Sequence, residues 1–314
     1  MIINHKKIFY IIRLFVVITL LWYLFNLINF SSFLEIIKNV KLWPLLIIVS
    51  LYPLNVYISA LRWNVILKFY KITYSKSKLF YLYLVSGFLN NFLPTSLGGD
   101  SYKYLHLTKK YHSLNKEILS SIVLERGIGF YALFVVNIIL IPYFANIIFC
   151  QQIFFGIELL IIAVFLSLTI LFYYKNKVIK YLKKIDIKIN LFQKFKNFTN
   201  TLLNINNKKV LFISFCYSII FIIIGAFSTF LLFYALGIQV NILYIILTYS
   251  VINIFSILPI SLNSIGITEG LFVLLFGFYG IESEISLAAA IIARISIIIA
   301  SSFGGFIYLF KILK

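Results

Sequence analysis

Long apolar runs follow one another along the whole chain of 314 residues. Most of them contain about 20 residues, the length at which an α-helix crosses a hydrocarbon core of about 30 Å. The runs are 8–28, 42–61, 79–93, 117–141, 153–174, 209–235, 241–258, 267–280 and 285–311. This pattern predicts an all-α, polytopic integral membrane protein with a single transmembrane domain over residues 1–314.

Two places interrupt the pattern. Run 79–93 is short and stops at Pro94, and runs 241–258 and 267–280 are separated by Pro259 and a stretch of Ser, Asn and Gly. Irregular backbone at membrane depth has unpaired polar groups, which are tolerated only inside protein or beside a water-filled cavity. We therefore predict two re-entrant hairpins and about six full spans, whereas eight spans result if the short runs cross.

Basic residues are distributed unevenly between the connections. In the six-span topology, the segments on one side of the membrane are 1–13, 62–78, 103–116, 175–209 and 311–314. They hold 24 of the 28 Lys and Arg residues, whereas the other side holds only Lys38 and Lys41. The positive-inside rule therefore predicts a cell (inner or cytoplasmic) membrane protein with both termini in the cytoplasm. Because the net charge of +19 is then loop charge, we expect no nucleic-acid partner.

The one long connection, 175–209, mixes ten lysines with Ile, Leu and Phe. Such a segment suits an amphipathic helix on the anionic inner leaflet, where each basic residue contributes about 1 kcal/mol. It equally suits a solvated loop that follows the orientation rule. The pattern leaves both interpretations open.

A short internal repeat coincides with the two breaks. The sequence Leu-Pro-Thr-Ser-Leu at 93–97 recurs as Leu-Pro-Ile-Ser-Leu at 258–262, 165 residues later. In the predicted topology the first hairpin enters from the inside and the second from the outside. This arrangement is expected of an inverted repeat, in which substrate sites lie between the halves.

Charged residues inside apolar runs cost about 2.5–3.5 kcal/mol each, so each requires a partner or a function. The candidates are Asp100 just after the first break, Glu125, Arg126, Glu158, Glu269 just after the second break, and Arg294. In one interpretation, the two arginines hold a lipid phosphate in a polar cleft, since guanidinium binds phosphate through two parallel hydrogen bonds. The acids would then balance charge or meet a cationic headgroup. In the other, the arginines only pair with acids and tie helices together.

Glycines cluster at the breaks, as in Gly98 and Gly99. A half-helix that begins after such a break presents free N–H groups and the positive end of its dipole, which favours anions. We therefore regard 96–100 and 264–269, which begin with serines, as candidate helix caps at an anion site. Glycine also permits tight turns and close helix packing without any ligand.

Three stretches resemble the signatures of the lysylphosphatidylglycerol synthase transmembrane (flippase-like) family. They are Asn90-Asn91-Phe92-Leu93-Pro94-Thr95-Ser96-Leu97-Gly98-Gly99-Asp100, then Leu124-Glu125-Arg126-Gly127-Ile128-Gly129, then Gly266-Ile267-Thr268-Glu269-Gly270. Their order and spacing match, and Arg294 lies where that family has an arginine in its last long helix. The third stretch departs, since the family usually has more glycine before it and an arginine at the position of Thr268.

The resemblance implies re-entrant helices and translocation of lipid between leaflets. It places Asn91, Ser96, Gly98 and Gly99 with the charged residues in the candidate substrate-binding site. The sequence ends at Lys314, directly after the last run, so we expect no soluble aminoacyl-transferase domain and no enzymatic activity. We also expect no cofactor and no metal, since no histidine or cysteine spacing suggests a metal site.

The function expected from these features is flippase-like transport of an anionic lipid, either a phospholipid or a polyprenyl-phosphate-linked sugar. Two alternatives remain open. One is a membrane glycosyltransferase that acts on a polyprenyl phosphate, although loop 29–41 offers only Glu35 as an acid. The other is a non-transporting accessory protein. The expected partners are membrane lipids and enzymes of lipid modification or surface glycan assembly.

Overall fold

The computed structural model describes residues 5–26, 28–92, 98–174, 207–257 and 261–312. These residues form α-helices and two short 3₁₀ segments and contain no β-strand, which confirms the all-α class. The α-helices are α1 (His5–Asn26), α2 (Phe30–Lys38), α3 (Leu42–Phe69), α4 (Lys76–Phe92), α5 (Gly98–Lys110), α6 (Asn115–Leu140), α7 (Ala145–Cys150), α8 (Gln152–Tyr173), α9 (Lys208–Ala235), α10 (Ile242–Ser256), α11 (Ile267–Phe278) and α12 (Ser283–Ile312). Most of connection 175–209 and the first pentapeptide copy lie outside the described residues.

Fewer helices than predicted are long and apolar enough to cross a membrane. Four qualify by length and composition, and they are Leu42–Phe69, Asn115–Cys150, Lys208–Ala235 and Ser283–Phe310. A fifth span results only if α1 and α2, which meet at 89°, are counted together. The predicted span 153–174 corresponds to α8, a helix of 22 residues whose side chains are described without a gap over Gln152–Ser167, so it is not among these four. The described residues thus support four or five spans where the sequence predicted about six.

Two helix boundaries differ from the predicted ones because of particular side chains. Segment 29–41, predicted as a loop, contains α2, because Asn29 accepts a hydrogen bond from the backbone N–H of Ser31 at 3.1 Å and so caps a new helix. Helix α3 runs about two turns beyond its predicted end. Its last turns are retained because Trp63 and Leu67 are fully buried.

The first predicted break joins two helices that run antiparallel. Near the break, the side chain of Asn90 in α4 accepts a hydrogen bond from the N–H of Gly99 in α5 at 2.7 Å. At the other end, the hydroxyl of Tyr74 lies 2.9 Å from Nε2 of His106. Helices α4 and α5 therefore form the predicted hairpin.

The second break has the same form. The hydroxyl oxygens of Ser256 and Thr268, on either side of the break, lie 3.3 Å apart. At the far end, the hydroxyl of Tyr244 in α10 donates to the carbonyl of Leu275 in α11 at 2.6 Å. Helices α10 and α11 form the second hairpin.

Helices α3–α6 and α9–α12 are two copies of one four-helix unit. Helices α3 and α9 begin 166 residues apart, as do α4 and α10, whereas α5 and α11 begin 169 apart and α6 and α12 begin 168 apart. The equivalent helices α3 and α9 pack along their length. They are antiparallel, since the N–H of Lys41 donates to the carbonyl of Ala235 at 3.0 Å and Arg62 donates to Ser218 at 3.1 Å. The repeat is therefore inverted, as the pentapeptide predicts.

Each hairpin also packs against the long last helix of the other unit. Helix α4 lies on α12, and α10 lies on α6. The first of these contacts is close because a Cβ added at Gly304 would lie only 2.0 Å from the carbonyl oxygen of Leu84, so only glycine fits there. The two units are thereby interlocked through their hairpins.

Gly304→Ala is expected to lower the free energy of unfolding by about 1–3 kcal/mol, since the added methyl group forces α12 away from α4. Gly127→Ala is the matched control, because that glycine lies inside α6 with no atom within 4 Å of an added Cβ. We expect the control to be neutral or to stabilise by about 0.5–1 kcal/mol. Unfolding of both variants in detergent measures the difference, and equal stability would contradict the close contact.

Candidate functional site

Asp100 lies in the first turn of α5 and binds two cations. One carboxylate oxygen is 2.7 Å from Nζ of Lys103, three residues later on the same helix. The other accepts a hydrogen bond from Nε of Arg126, on α6, at 2.7 Å. The first turn of a helix favours a carboxylate through its free N–H groups and dipole. Asp100 thus fastens the start of α5 to α6.

Glu125, next to Arg126 on α6, faces a different neighbour. Its carboxylate accepts a hydrogen bond from Nη2 of Arg62, on α3, at 2.7 Å and lies 3.5 Å from Nζ of Lys103. Adjacent helical residues point about 100° apart, so this division of partners follows from the geometry of α6. The same carboxylate therefore connects α3, α5 and α6.

Lys103 is the centre of this network, and its side chain is only 4% exposed. Besides the two carboxylates, its ammonium group lies 4.1 Å from the ring centroid of Tyr83 and 5.1 Å from that of Trp63. Both rings stabilise a desolvated cation through their π faces. We call the set of Arg62, Asp100, Lys103, Glu125 and Arg126 the first cluster. Its three cations and two carboxylates give it a net charge of +1.

The second cluster consists of Glu269 and Arg294. One oxygen of Glu269, in the first turn of α11, accepts a hydrogen bond from Nε of Arg294, on α12, at 2.6 Å. The other accepts the backbone N–H of Gly266 at 2.7 Å and so caps α11. Nη1 of Arg294 donates to the carbonyl of Asn263 at 3.4 Å. The capping group is therefore Glu269, whereas Ser264 bonds the carbonyl of Ser256.

The two clusters share one arrangement of a carboxylate and an arginine. In each, the third residue of the second hairpin arm is a carboxylate that accepts from Nε of an arginine on the following long helix, 26 residues later for Asp100 and 25 for Glu269. Arg62, Lys103 and Glu125 have no charged counterparts in the second cluster. By the offsets of their helices, the equivalent positions are Ser228, Phe272 and Ala293. The second cluster is thus a reduced copy without the extra charges.

The other predicted site residues lie at the hairpin contacts. Gly98 and Gly99 begin α5 and are buried, and a Cβ at Gly99 would lie 2.5 Å from the carbonyl oxygen of Ser86. Asn91 donates from Nδ2 to the hydroxyl of Ser301 on α12 at 2.7 Å. Ser96 lies outside the described residues. These groups position the first hairpin between α6 and α12.

Comparison with known proteins places the chain among membrane proteins. The signature of the lysylphosphatidylglycerol synthase TM region family matches residues 10–305. The chain belongs to this family. A UPF0104 membrane protein of Pyrococcus horikoshii is 25% identical over 97% of this chain and 96% of its own length. Another, from Methanothermobacter thermautotrophicus, is 21% identical over 75% of each chain.

Sequence reasoning missed two residues of this lysylphosphatidylglycerol synthase TM region protein. Arg62 and Lys103 were counted with the cytoplasmic loop charges, yet their side chains are only 11% and 4% exposed and both bind Glu125. These two residues therefore belong to a buried ion-pair network and not to solvated loop charge. One signal was available, since Trp63 and Ile66 extend the apolar face beside Arg62.

Proposed function

We propose that this multi-pass membrane protein is a flippase-like transporter that moves an anionic lipid between leaflets. The lipid is a phospholipid or a polyprenyl-phosphate-linked sugar, and the anionic group common to both is a phosphate. Arg126 and Arg294 bind that phosphate in this proposal. Transport without catalysis, a location in the cell membrane and cytoplasmic termini all belong to the same proposal.

The observation that carries the proposal is that both arginines are fixed in orientation and remain partly exposed. Each guanidinium is held at Nε by a buried carboxylate, which fixes its plane, while the side chain of Arg126 remains 34% exposed and that of Arg294 26% exposed. A fixed and partly exposed guanidinium suits phosphate, because the ligand then does not have to order the side chain. Lys103 and Arg62 are more deeply buried and add positive charge to the first cluster.

Charge balance supports an anion at the first cluster. Counted over the described residues, its net charge of +1 lies among apolar helices, where charge is costly. A phosphate diester carries one negative charge and would neutralise the cluster. A cationic headgroup alone would instead raise the local excess of positive charge.

The inverted repeat supports movement between leaflets. In transporters built from inverted repeats, the units can exchange conformations, so that one central site opens to either side. Here each hairpin contacts the long last helix of both units, through ion pairs on one side and close packing on the other. We further propose enzymes of lipid modification or glycan assembly as partners, since a flipped lipid must be made and used.

The test is a leaflet-accessibility assay in vesicles reconstituted with the full chain and a labelled anionic phospholipid or polyprenyl phosphate. Arg126→Gln and Arg294→Gln are expected to lower the initial rate by 10-fold or more, since each removes a charge-assisted phosphate contact of about 1.5–3 kcal/mol. Lys109→Gln, an exposed cation on α5, is the matched control and should keep the wild-type rate. Equal rates in all four proteins would refute the site, and no protein-dependent rate with either lipid would refute transport.

A further inference from the structure

Four carboxyl groups are buried in the part of the chain that the structure describes: Asp100, Glu125, Glu158 and Glu269. Three of them bind arginine or lysine in the two clusters. Glu158, on α8, is the exception, since none of the described Lys, Arg or His residues lies at ion-pair distance from it. A charged carboxylate in such a position would lack compensation.

Glu158 has one hydrogen-bond partner among the described residues. Asn137, on α6, donates from Nδ2 to Oε1 of Glu158 at 3.4 Å, and the two residues are 0% and 2% exposed. Oε2 of Glu158 and Oδ1 of Asn137 are both buried and have no partner in the described residues. Two unpaired acceptors in one buried pair are costly unless a proton is shared between them.

The helices around this pair bring little charge to it. The nearest charged residue on α6 is Arg126, 11 residues before Asn137 and about 16 Å away along the helix. Helix α7 contributes Cys150, which is exposed. Helix α10 contributes Tyr244, on which Tyr279, after α11, stacks at 4.4 Å.

A neutral carboxylic acid fits this environment in a way that a carboxylate does not. It has one O–H donor and one carbonyl acceptor, and a primary amide offers the complementary acceptor and donor. We propose that Glu158 and Asn137 form a proton-binding site, in which Glu158 holds an exchangeable proton as a neutral acid paired with the amide. The three carboxylates of the ion-paired clusters, by contrast, each contact an arginine or lysine.

The position of the pair connects proton binding to the second hairpin. Tyr244 joins the two arms of that hairpin through its hydrogen bond to Leu275. Loss of the proton from Glu158 leaves a desolvated anion on α8, which packs against the second hairpin where Phe154 stacks on Phe278, at the end of α11, at 5.5 Å. If α8 moves away from the hairpin, water reaches the anion and the free-energy cost of its desolvation falls. The ligand of the site is thus a proton, and the proposal does not depend on the identity of the lipid.

Infrared spectroscopy of the purified full chain at neutral pH tests the proposal. The wild type should show the carbonyl stretch of a neutral carboxylic acid, since exposed and ion-paired carboxyl groups are ionised under these conditions. Glu158→Gln should abolish this band, and Asn137→Leu should shift it because the amide partner is lost. Glu35→Gln removes an exposed carboxyl group and should leave the band unchanged.

Absence of the band in the wild type, or its persistence in Glu158→Gln, would overturn the proposal. If Glu158→Gln does not fold, Asn137→Leu decides, because an unshifted band would show that the acid does not pair with Asn137. Thermal stability gives a second readout. Ionisation of Glu158 destabilises the folded state, so the wild type should lose stability as the pH rises, and Glu158→Gln should lose this dependence. An identical pH profile in the two proteins would also contradict the site.

Discussion

Replacement of Glu125 by leucine is expected to lower the free energy of unfolding by about 3–5 kcal/mol, the largest effect that the described residues lead us to expect. The substitution removes one carboxylate from the first cluster, so its net charge rises from +1 to +2 within apolar surroundings. Arg62 then loses its ion-pair partner, and Lys103 retains only Asp100. Unfolding in mixed detergent micelles measures the loss.

Two variants show whether charge is the cause. Arg62→Met removes a cation and lowers the net charge to zero, so it should destabilise less than Glu125→Leu although it breaks the same ion pair. Glu282→Leu removes an exposed acid and should change stability by no more than about 0.5 kcal/mol. A greater loss in Arg62→Met than in Glu125→Leu would show that packing, and not charge balance, governs the cluster.

Glu269→Ala is expected to cost about 2–4 kcal/mol, because one carboxylate both pairs with Arg294 and caps α11 at Gly266. Glu269→Gln keeps an acceptor for the backbone N–H of Gly266 and loses only the charge. We therefore expect it to retain about half of the lost stability. Unfolding of the two variants, with Glu282→Ala as an exposed control, measures the two contributions.

Equal losses in Glu269→Ala and Glu269→Gln would mean that the cap contributes nothing and that the ion pair alone holds the hairpin. A loss in Glu269→Gln close to zero would mean the reverse. Either result would contradict the proposal that Glu269 both pairs with Arg294 and caps α11.

The apolar runs predicted the helices well because membrane helices have a length fixed by the bilayer. Run 209–235 differs from α9 by one residue, and run 79–93 ends one residue after α4. The predicted helix ends were wrong where a charged residue has hydrogen-bond partners on other helices, since the sequence pattern does not show those partners. The predicted span ends before Arg62, yet α3 continues past this residue since Glu125 and Ser218 accept hydrogen bonds from its guanidinium group.

The candidate site was only partly predictable. Sequence identified Asp100, Arg126, Glu269 and Arg294 as costly intramembrane charges, but it could not assign which acid meets which arginine. That pairing depends on the hairpins folding back against α6 and α12. The sequence marks Glu158 as an intramembrane charge without a role, because whether a cation lies near it depends on the packing of helices in space; none of the described cations does.

The two clusters hold their hairpins with different numbers of ion pairs, so the hairpins differ in how easily they can move. Moving the start of α5 away from α6 and α3 separates two ion pairs, Lys103–Glu125 and Arg126–Asp100, whereas moving α11 away from α12 separates one. A duplicated scaffold with identical halves would open to both sides of the membrane at equal cost. Because the second copy lacks three of these charges, the second hairpin is the easier gate in the proposed transport, which gives the proposed transporter a preferred side on which to open.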